Sequence, residues 1–307
     1  MSEAAMTTQP RRAWLGYALA LVALWGVWGT LSGLSAARGF PDTLVYCVWA
    51  LTMIPPAVFV LWRGGWRLDR SPRAVGYGLL IGLLGAGGQM VLFRALRIGP
   101  AYYIFPIISL SPVITIGLSF FLLRERTGKL GALGIVLALL ALPMLDFSFG
   151  EGGAQGLGWF ALALVIMVAW GLQAYFMKLA NDTVGADSIF FYMTVGALLL
   201  APVAWAMTDF SKPINTGLDG PWMAAAIQIL NAIGALCLVY AFRYGKAIVV
   251  APLTNAGAPL VTAALSLLFA GVVPGPLKIV GLLMALVASL LLVLEPERPS
   301  PPPASVS

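Results

Sequence analysis

The stretch ALRIGPAYYIFP, residues 95–106, returns later in the chain as AFRYGKAIVVAP, residues 241–252. The two stretches agree at a constant offset of 146 positions. The matched pairs within these stretches are Arg97 with Arg243, Gly99 with Gly245, Ala101 with Ala247 and Pro106 with Pro252. Elsewhere in the chain, Trp25-Gly26 resembles Trp170-Gly171, and Gly134 resembles Gly281. Because these matches fall at equivalent points of the hydrophobic pattern, we interpret the chain as two related halves.

The composition indicates a protein surrounded by lipid. Of its 307 residues, 60% are hydrophobic and only 10% are charged, whereas a typical soluble domain carries about 25% charged residues. The net charge of +6 does not indicate nucleic-acid binding, because the basic residues lie at the ends of apolar runs, where they would meet lipid headgroups. Histidine is absent, which removes the commonest general base and metal ligand. We therefore expect no metal, no cofactor and no enzymatic activity.

The apolar runs predict an all-α integral membrane protein with ten transmembrane helices, each about 20 residues long. We place them near residues 13–37, 42–62, 74–96, 101–123, 129–145, 156–178, 187–207, 221–243, 247–269 and 274–294. Five helices per half is an odd number, so the second half should be inserted upside down, as two inverted five-helix repeats. The division is a disordered N-terminus 1–12, a first repeat 13–145, a connecting loop 146–155, a second repeat 156–294 and a disordered tail 295–307.

The distribution of positive charge predicts the orientation. Most of the 18 Lys and Arg residues fall in the segments that face one side of the membrane if both chain ends lie there. Cytoplasmic segments carry such an excess of Lys and Arg. We therefore expect both termini in the cytoplasm and a location in a bacterial-type inner membrane.

Prolines mark the fourth and ninth predicted helices at matching places. Pro106 and Pro112 lie in the fourth, and Pro252 and Pro259 lie in the ninth. Each proline removes a backbone hydrogen bond, and in lipid the freed carbonyl needs a protein partner or a watery cavity. We expect helix kinks or gating at these prolines and a solute site at the interface of the repeats. Simple packing kinks are the alternative.

Amide and aromatic side chains near the middle of the helices supply candidates for substrate binding. Amides that faced lipid would be costly, so they should point into the bundle. The candidates are Trp25, Gln89, Phe93, Tyr102, Ser109, Trp170, Gln173, Asn231 and Asn255. Hydrogen bonds between helices are the plainer interpretation, especially for serine. No Asp, Glu, Lys or Arg lies at mid-helix, which predicts an uncharged pocket for a neutral or zwitterionic solute.

The motif A-L-x-x-G-x-A-x-x-x-x-P, with Ser111-Pro112 and Leu123-Arg124-Glu125-Arg126 after it, resembles the EamA family of the drug/metabolite transporter superfamily. The resemblance covers residues 13–294 and implies a carrier of amino acids, other small metabolites or drugs. The aromatic-rich first and fourth helices look most like the YddG-type exporters of aromatic amino acids. The second half lacks a counterpart of Glu125. We expect Glu125 to form a local ion pair with Arg124, Arg126 or Lys129, and a role in coupling is the alternative.

These observations predict a secondary transporter that exports neutral or zwitterionic metabolites, in particular aromatic or hydrophobic amino acids, by alternating access. A multidrug carrier or a carrier of nucleosides or sugars is the main alternative. A channel would need a ring of pore-lining polar groups, and a membrane enzyme would need an acid–base or metal cluster. The partners we expect are a small-molecule substrate and the lipid bilayer, with the protein as a monomer or homodimer.

Overall fold

A computed structural model describes residues 13–98, 104, 107–146, 158–270 and 275–295. The elements named in this region are all helical. They are α1 Ala13–Leu31, α2 Leu34–Ala37, α3 Asp42–Thr52, α4 Ile54–Arg63, α5 Pro72–Ile98, α6 Ser111–Phe121, α7 Lys129–Asp146, α8 Gly158–Asn181, α9 Ala186–Ala206, a π-helical turn Leu218–Trp222, α10 Met223–Tyr244, α11 Ala247–Ala270 and α12 Pro276–Leu294. The predicted disordered residues 1–12 and all of the predicted tail except Glu295 lie outside the described residues.

The helices confirm an all-α membrane protein. Among the residues that the structure describes, eight stretches are long and apolar enough to cross a bilayer. They are Ala13–Ala37, Asp42–Arg63, Pro72–Leu92, Gly158–Asn181, Ala186–Ala206, Leu218–Tyr244, Ala247–Leu265 and Pro276–Leu294. Two shorter apolar helices, Ser111–Phe121 and Lys129–Leu145, correspond to the fourth and fifth predicted spans. Helices suit lipid because each backbone N–H and C=O finds its partner within the same segment.

The main packing contacts join helices of the first part of the chain to helices of the second. Helix α1 packs on α10 and α11, α8 packs on α5 and α6, and α7 packs on α12. Helix α3 packs on α9 and α10, and α9 also packs on α5. If α1 is matched with α8, α3 with α9, α5 with α10, α6 with α11 and α7 with α12, each of these contacts has a counterpart. The core therefore lies between the two parts of the chain.

Two glycines bring α1 and α8 close to their partner helices. A Cβ added at Gly26 or at Gly171 would lie within 2.5 Å of a side-chain atom on the facing helix. The Thr262 hydroxyl donates to the Gly26 carbonyl oxygen, and the Thr115 hydroxyl donates to the Gly171 carbonyl oxygen, both at 3.0 Å. Small residues with hydrogen bonds across the crossing are a common way for membrane helices to associate.

The prolines of the fourth and ninth predicted helices sit in different local structures. Helix α6 begins at Ser111, after a turn at Ser109 and Leu110, so Pro112 lies in the first helical turn. A proline is tolerated there because the missing N–H would have no helical partner. Helix α11 instead continues through Pro252 and Pro259. Pro106 lies outside the described residues, and a gating role for the prolines stays a prediction.

Candidate functional site

Three tryptophans and two amides form neighbouring hydrogen bonds between α1, α3 and α10. The Trp25 indole donates to the Asn231 backbone oxygen at 3.2 Å, and the Trp49 indole donates to the Asn231 side-chain oxygen at 2.8 Å. The Trp28 indole donates to Gln228 Oε1 at 3.1 Å. On each of α1 and α10 the two participants are three residues apart, so they share a face and the two faces meet. We call these five residues the amide–indole cluster.

A matching tryptophan contact joins α8 to α5. The Trp170 indole donates to the Gly85 carbonyl oxygen, again at 3.2 Å. Glycines make room for both indoles, since a Cβ at Gly88 would lie 2.3 Å from Trp170 Nε1 and one at Gly234 would lie 2.2 Å from Trp25 Nε1. The correspondence between Trp25 and Trp170 seen in the sequence is thus also a correspondence of their contacts.

The other sequence candidates are placed less tightly together. The Gln173 amide lies against Gly85, where an added Cβ would be 2.3 Å from its nitrogen. Gln89 is half-buried on α5, one turn beyond Gly85. The Asn255 nitrogen donates to Ala251 O of its own helix at 2.9 Å, which favours the plainer, structural interpretation for this amide.

Several candidates are only partly described. Ser109 is half-buried in the turn that precedes α6. The side chain of Phe93 and the whole of Tyr102 lie outside the described residues. The structure therefore brings Trp25 together with Asn231, and Trp170 close to Gln173, as two separate groups. The amide–indole cluster adds Trp28, Trp49 and Gln228 to the predicted set.

A stack of tyrosines lies nearer the other end of α1 and α10. The Tyr17 ring stacks on Tyr240 with centroids 4.9 Å apart and on Tyr244 with centroids 5.8 Å apart. The Tyr240 hydroxyl donates to Asp187 Oδ1 at the start of α9. Tyr17 precedes Trp25 by eight residues, or about 12 Å along a helix. The i, i+4 spacing of Tyr240 and Tyr244 predicts that these two tyrosines share a face of the helix. Their partners Tyr17 and Asp187 lie on other helices and could not be predicted from the residues around them.

Glu125 does not form the local ion pair that we expected. Its Oε2 accepts the backbone N–H of Ile248 at 3.0 Å, at the start of α11. The ion pairs within the described residues involve other carboxylates. Burial raises the pKa of Glu125, while the N–H groups of Ile248 and Ala247 act in the opposite direction. Glu125 therefore links the end of α6 to the first turn of α11, because an anion is stabilised by the free N–H groups there.

Glu295 makes a comparable contact between α12 and α7. Its carboxylate accepts the backbone N–H groups of Gly128 and, at 2.8 Å, of Gly131. Both N–H groups lie at the start of α7, which begins at Lys129. Two glutamates thus each satisfy the N-terminus of a helix from the other part of the chain.

An open groove between α5 and α8 has a different character. It is lined only by aliphatic side chains, namely Leu84, Leu164, Val165, Val168, Ala169 and Leu172. Such a surface suits lipid tails and offers no hydrogen bond to a polar solute. Within the residues that the structure describes, no group of three His, Cys, Asp or Glu side chains is placed to hold a metal ion.

Comparisons with known proteins agree with this architecture. The model of the EamA-like transporter family matches residues 12–145 and residues 157–294. Protein LicB of Haemophilus influenzae is 25% identical over 177 residues, which are 52% of this chain and 60% of LicB. An uncharacterized protein of Methanocaldococcus jannaschii is 27% identical over 131 residues, which are 43% of this chain and 93% of that protein.

A solved structure shares the fold. It aligns with a TM-score of 0.74 and 18% sequence identity, covering 91% of this chain and 98% of the other chain. At this identity the likeness concerns the fold alone. The chain spans less than two thirds of the length of LicB.

Proposed function

Because this chain belongs to the EamA-like transporter family, of the drug/metabolite transporter superfamily, we propose that it exports small neutral or zwitterionic metabolites by alternating access. Aromatic or hydrophobic amino acids are the proposed substrates. The observation that carries this proposal is the amide–indole cluster, where three tryptophans and two amides meet between helices. The proposal includes a bacterial-type inner membrane and cytoplasmic termini, for which the positive-charge distribution is the support.

The chemistry of the cluster supports a solute of this class. Indole rings offer flat apolar surface to an aromatic or aliphatic side chain, and amides offer hydrogen bonds without net charge. None of the five side chains is ionised, so a solute with a net charge would lose its hydration without gaining a counter-ion. A zwitterion carries both charges itself and a net charge of zero.

The pattern of packing supports alternating access. An inverted repeat lets one site open to alternate sides when its two halves exchange conformations. The equivalent bonds of Trp25 and Trp170 lie at the crossings that such an exchange would alter. We propose that the stack of Tyr17 on Tyr240 and Tyr244 closes the cytoplasmic end, and that a solute passes when α1 moves away from α10.

Counterflow into proteoliposomes tests this function. Vesicles that contain the full chain and are loaded with unlabelled phenylalanine should accumulate labelled phenylalanine in a saturable way. Nucleosides and cationic dyes, tested in the same vesicles, should compete weakly. Counterflow of the dyes or nucleosides alone would contradict the proposed substrate class, and non-saturable flux would contradict a carrier.

A further inference from the structure

In the amide–indole cluster, the amide oxygen of each side chain faces an indole, and the amide nitrogen, which is a hydrogen-bond donor, does not. An indole N–H can only donate, so the amide atom that faces it must be the oxygen. Trp49 therefore fixes the orientation of the Asn231 amide, and Trp28 fixes that of Gln228. The two NH2 groups are directed away from these indoles.

Both amide nitrogens are free to bind something else. Among the described residues, neither Asn231 Nδ2 nor Gln228 Nε2 donates to a protein group. Some side-chain atoms of the described residues are fully enclosed and have no hydrogen-bond partner, but these two nitrogens are not among them. Gln228 as a whole residue is only 6% exposed. The nitrogens therefore reach space that water or a solute can occupy. The residues are three apart on α10, about 4.5 Å along the helix axis, so they lie on the same face of the helix.

We propose that Asn231 and Gln228 form a donor subsite that binds the carboxylate of the transported solute. The inference rests on the proposed function and names the chemical group that the site selects. Trp28 and Trp49 are positioning residues, because each holds one amide by its oxygen and so keeps its NH2 group toward the solute. No covalent step is involved, and the carboxylate itself gains only hydrogen bonds.

A carboxylate fits this arrangement better than an amine does. Its two oxygens only accept hydrogen bonds and together offer about four acceptor positions, which matches two NH2 groups. An ammonium only donates, and the acceptor atoms of both amides already face an indole. The subsite thus discriminates by the direction of the hydrogen bond. Bonds to an ionised acceptor are also stronger than bonds between neutral groups.

Binding of three ligands with the same ring tests the subsite on the purified full chain. Phenylalanine carries a carboxylate and an ammonium, 3-phenylpropanoate only the carboxylate, and 2-phenylethylamine only the ammonium. We expect the wild-type protein to bind phenylalanine most tightly, because it alone has no net charge. Of the two charged ligands, 3-phenylpropanoate should bind about tenfold or more tightly than 2-phenylethylamine, the range for charge-assisted hydrogen bonds. Equal affinity for 2-phenylethylamine and 3-phenylpropanoate would overturn the proposal without any variant.

Two isosteric substitutions then test the residues. Asn231→Asp and Gln228→Glu keep an oxygen for the indole but replace the NH2 group by an acceptor. Each should weaken both carboxylates by about tenfold or more and leave 2-phenylethylamine unweakened. Asn231→Leu removes the donor without adding a charge and should lower the preference for carboxylates in the same direction. Circular dichroism and gel filtration establish that the variants are folded.

The results distinguish a failure of the donor subsite from a failure of the proposed function. If wild-type vesicles show phenylalanine counterflow but the Asp and Glu variants keep the wild-type preference for carboxylates, the donor subsite is wrong and the proposed function stands. If wild-type vesicles carry only solutes without a carboxylate, both are wrong. Should Asn231→Asp not fold, Gln228→Glu and the wild-type ligand order still decide the question.

Discussion

The indole nitrogen of Trp25 lies 3.2 Å from the backbone oxygen of Asn231, so α1 is tied to the middle of α10. The bond recurs at the same length between Trp170 on α8 and Gly85 on α5. In each case the donor comes from one part of the chain and the acceptor from the other. A transporter that works by alternating access must change such contacts in every cycle.

Replacing either tryptophan by phenylalanine should slow transport. Trp25→Phe and Trp170→Phe keep an aromatic ring but remove the N–H, which contributes about 0.5–1.5 kcal/mol as a hydrogen bond. We expect a decrease of about two- to tenfold in the counterflow rate, as such an energy corresponds to that factor. Trp205→Phe is the control, because Trp205 is 57% exposed. Wild-type rates in both Trp25→Phe and Trp170→Phe would show that the bonds serve packing alone.

The glycines opposite the indoles offer a sharper steric test. Gly88→Ala and Gly234→Ala would place a methyl group 2.3 and 2.2 Å from the indole nitrogens, so the tryptophans must move. We expect a loss of about 1–3 kcal/mol of stability, typical of an overpacked site, and reduced transport. Gly87→Ala on the same helix meets nothing within 4 Å and should be neutral or slightly stabilising. Melting temperatures in detergent measure all three, and equal values for Gly88→Ala and Gly87→Ala would contradict the prediction.

The helices could be predicted from the sequence because their cause is local. A run such as Ala186–Ala206 is apolar throughout, and lipid permits little besides a helix for such a segment. The equivalence of Trp25 and Trp170 was also accessible, since both are followed by glycine. The short fourth helix was not, because a turn at Ser109 precedes its start at Ser111.

Hydrogen-bond partners that lie far apart in the chain could not be predicted from the sequence. The Trp28–Gln228 bond joins residues 200 positions apart, and the Glu125–Ile248 bond joins residues 123 positions apart. Neighbouring charges made an ion pair the reasonable expectation for Glu125, but three-dimensional packing offers it a helix N-terminus instead. Nearly every residue has a backbone N–H, so the residue types of another helix do not show that its N-terminus will bind Glu125. The sequence therefore could not predict this partner.

The tyrosine stack should control access to the space between α1 and α10. Tyr17→Ala removes the ring that stacks on Tyr240 and Tyr244, whereas Tyr17→Phe keeps it. Cys237 lies three residues before Tyr240 on α10 and is half-buried. We expect a water-soluble maleimide to label Cys237 several times faster in Tyr17→Ala than in Tyr17→Phe. Both variants also carry Cys47→Ser, so that the labelling reports on Cys237 alone. Equal labelling rates would show that the stack is not a barrier.

Glu125 should make stability depend on pH. Burial raises its pKa above the ordinary value of 4.5, so the folded protein holds the proton more tightly than the unfolded chain does. Stability is therefore expected to fall as the pH rises from about 4.5 through the raised pKa of Glu125. Glu125→Gln keeps an oxygen for the Ile248 N–H but has no charge to desolvate, so it should lack this decline.

Glu125→Ala separates the charge from the hydrogen bond. It leaves the Ile248 N–H without its partner and should cost about 1 kcal/mol relative to Glu125→Gln at every pH, as for the loss of a helix cap. Melting temperatures of the wild type, Glu125→Gln and Glu125→Ala between about pH 4 and 8 give the comparison, since this range begins near the ordinary pKa of a glutamate. If the wild type and Glu125→Gln decline in parallel, the pH dependence belongs to other groups. If Glu125→Ala matches Glu125→Gln throughout, the bond to Ile248 contributes nothing to stability.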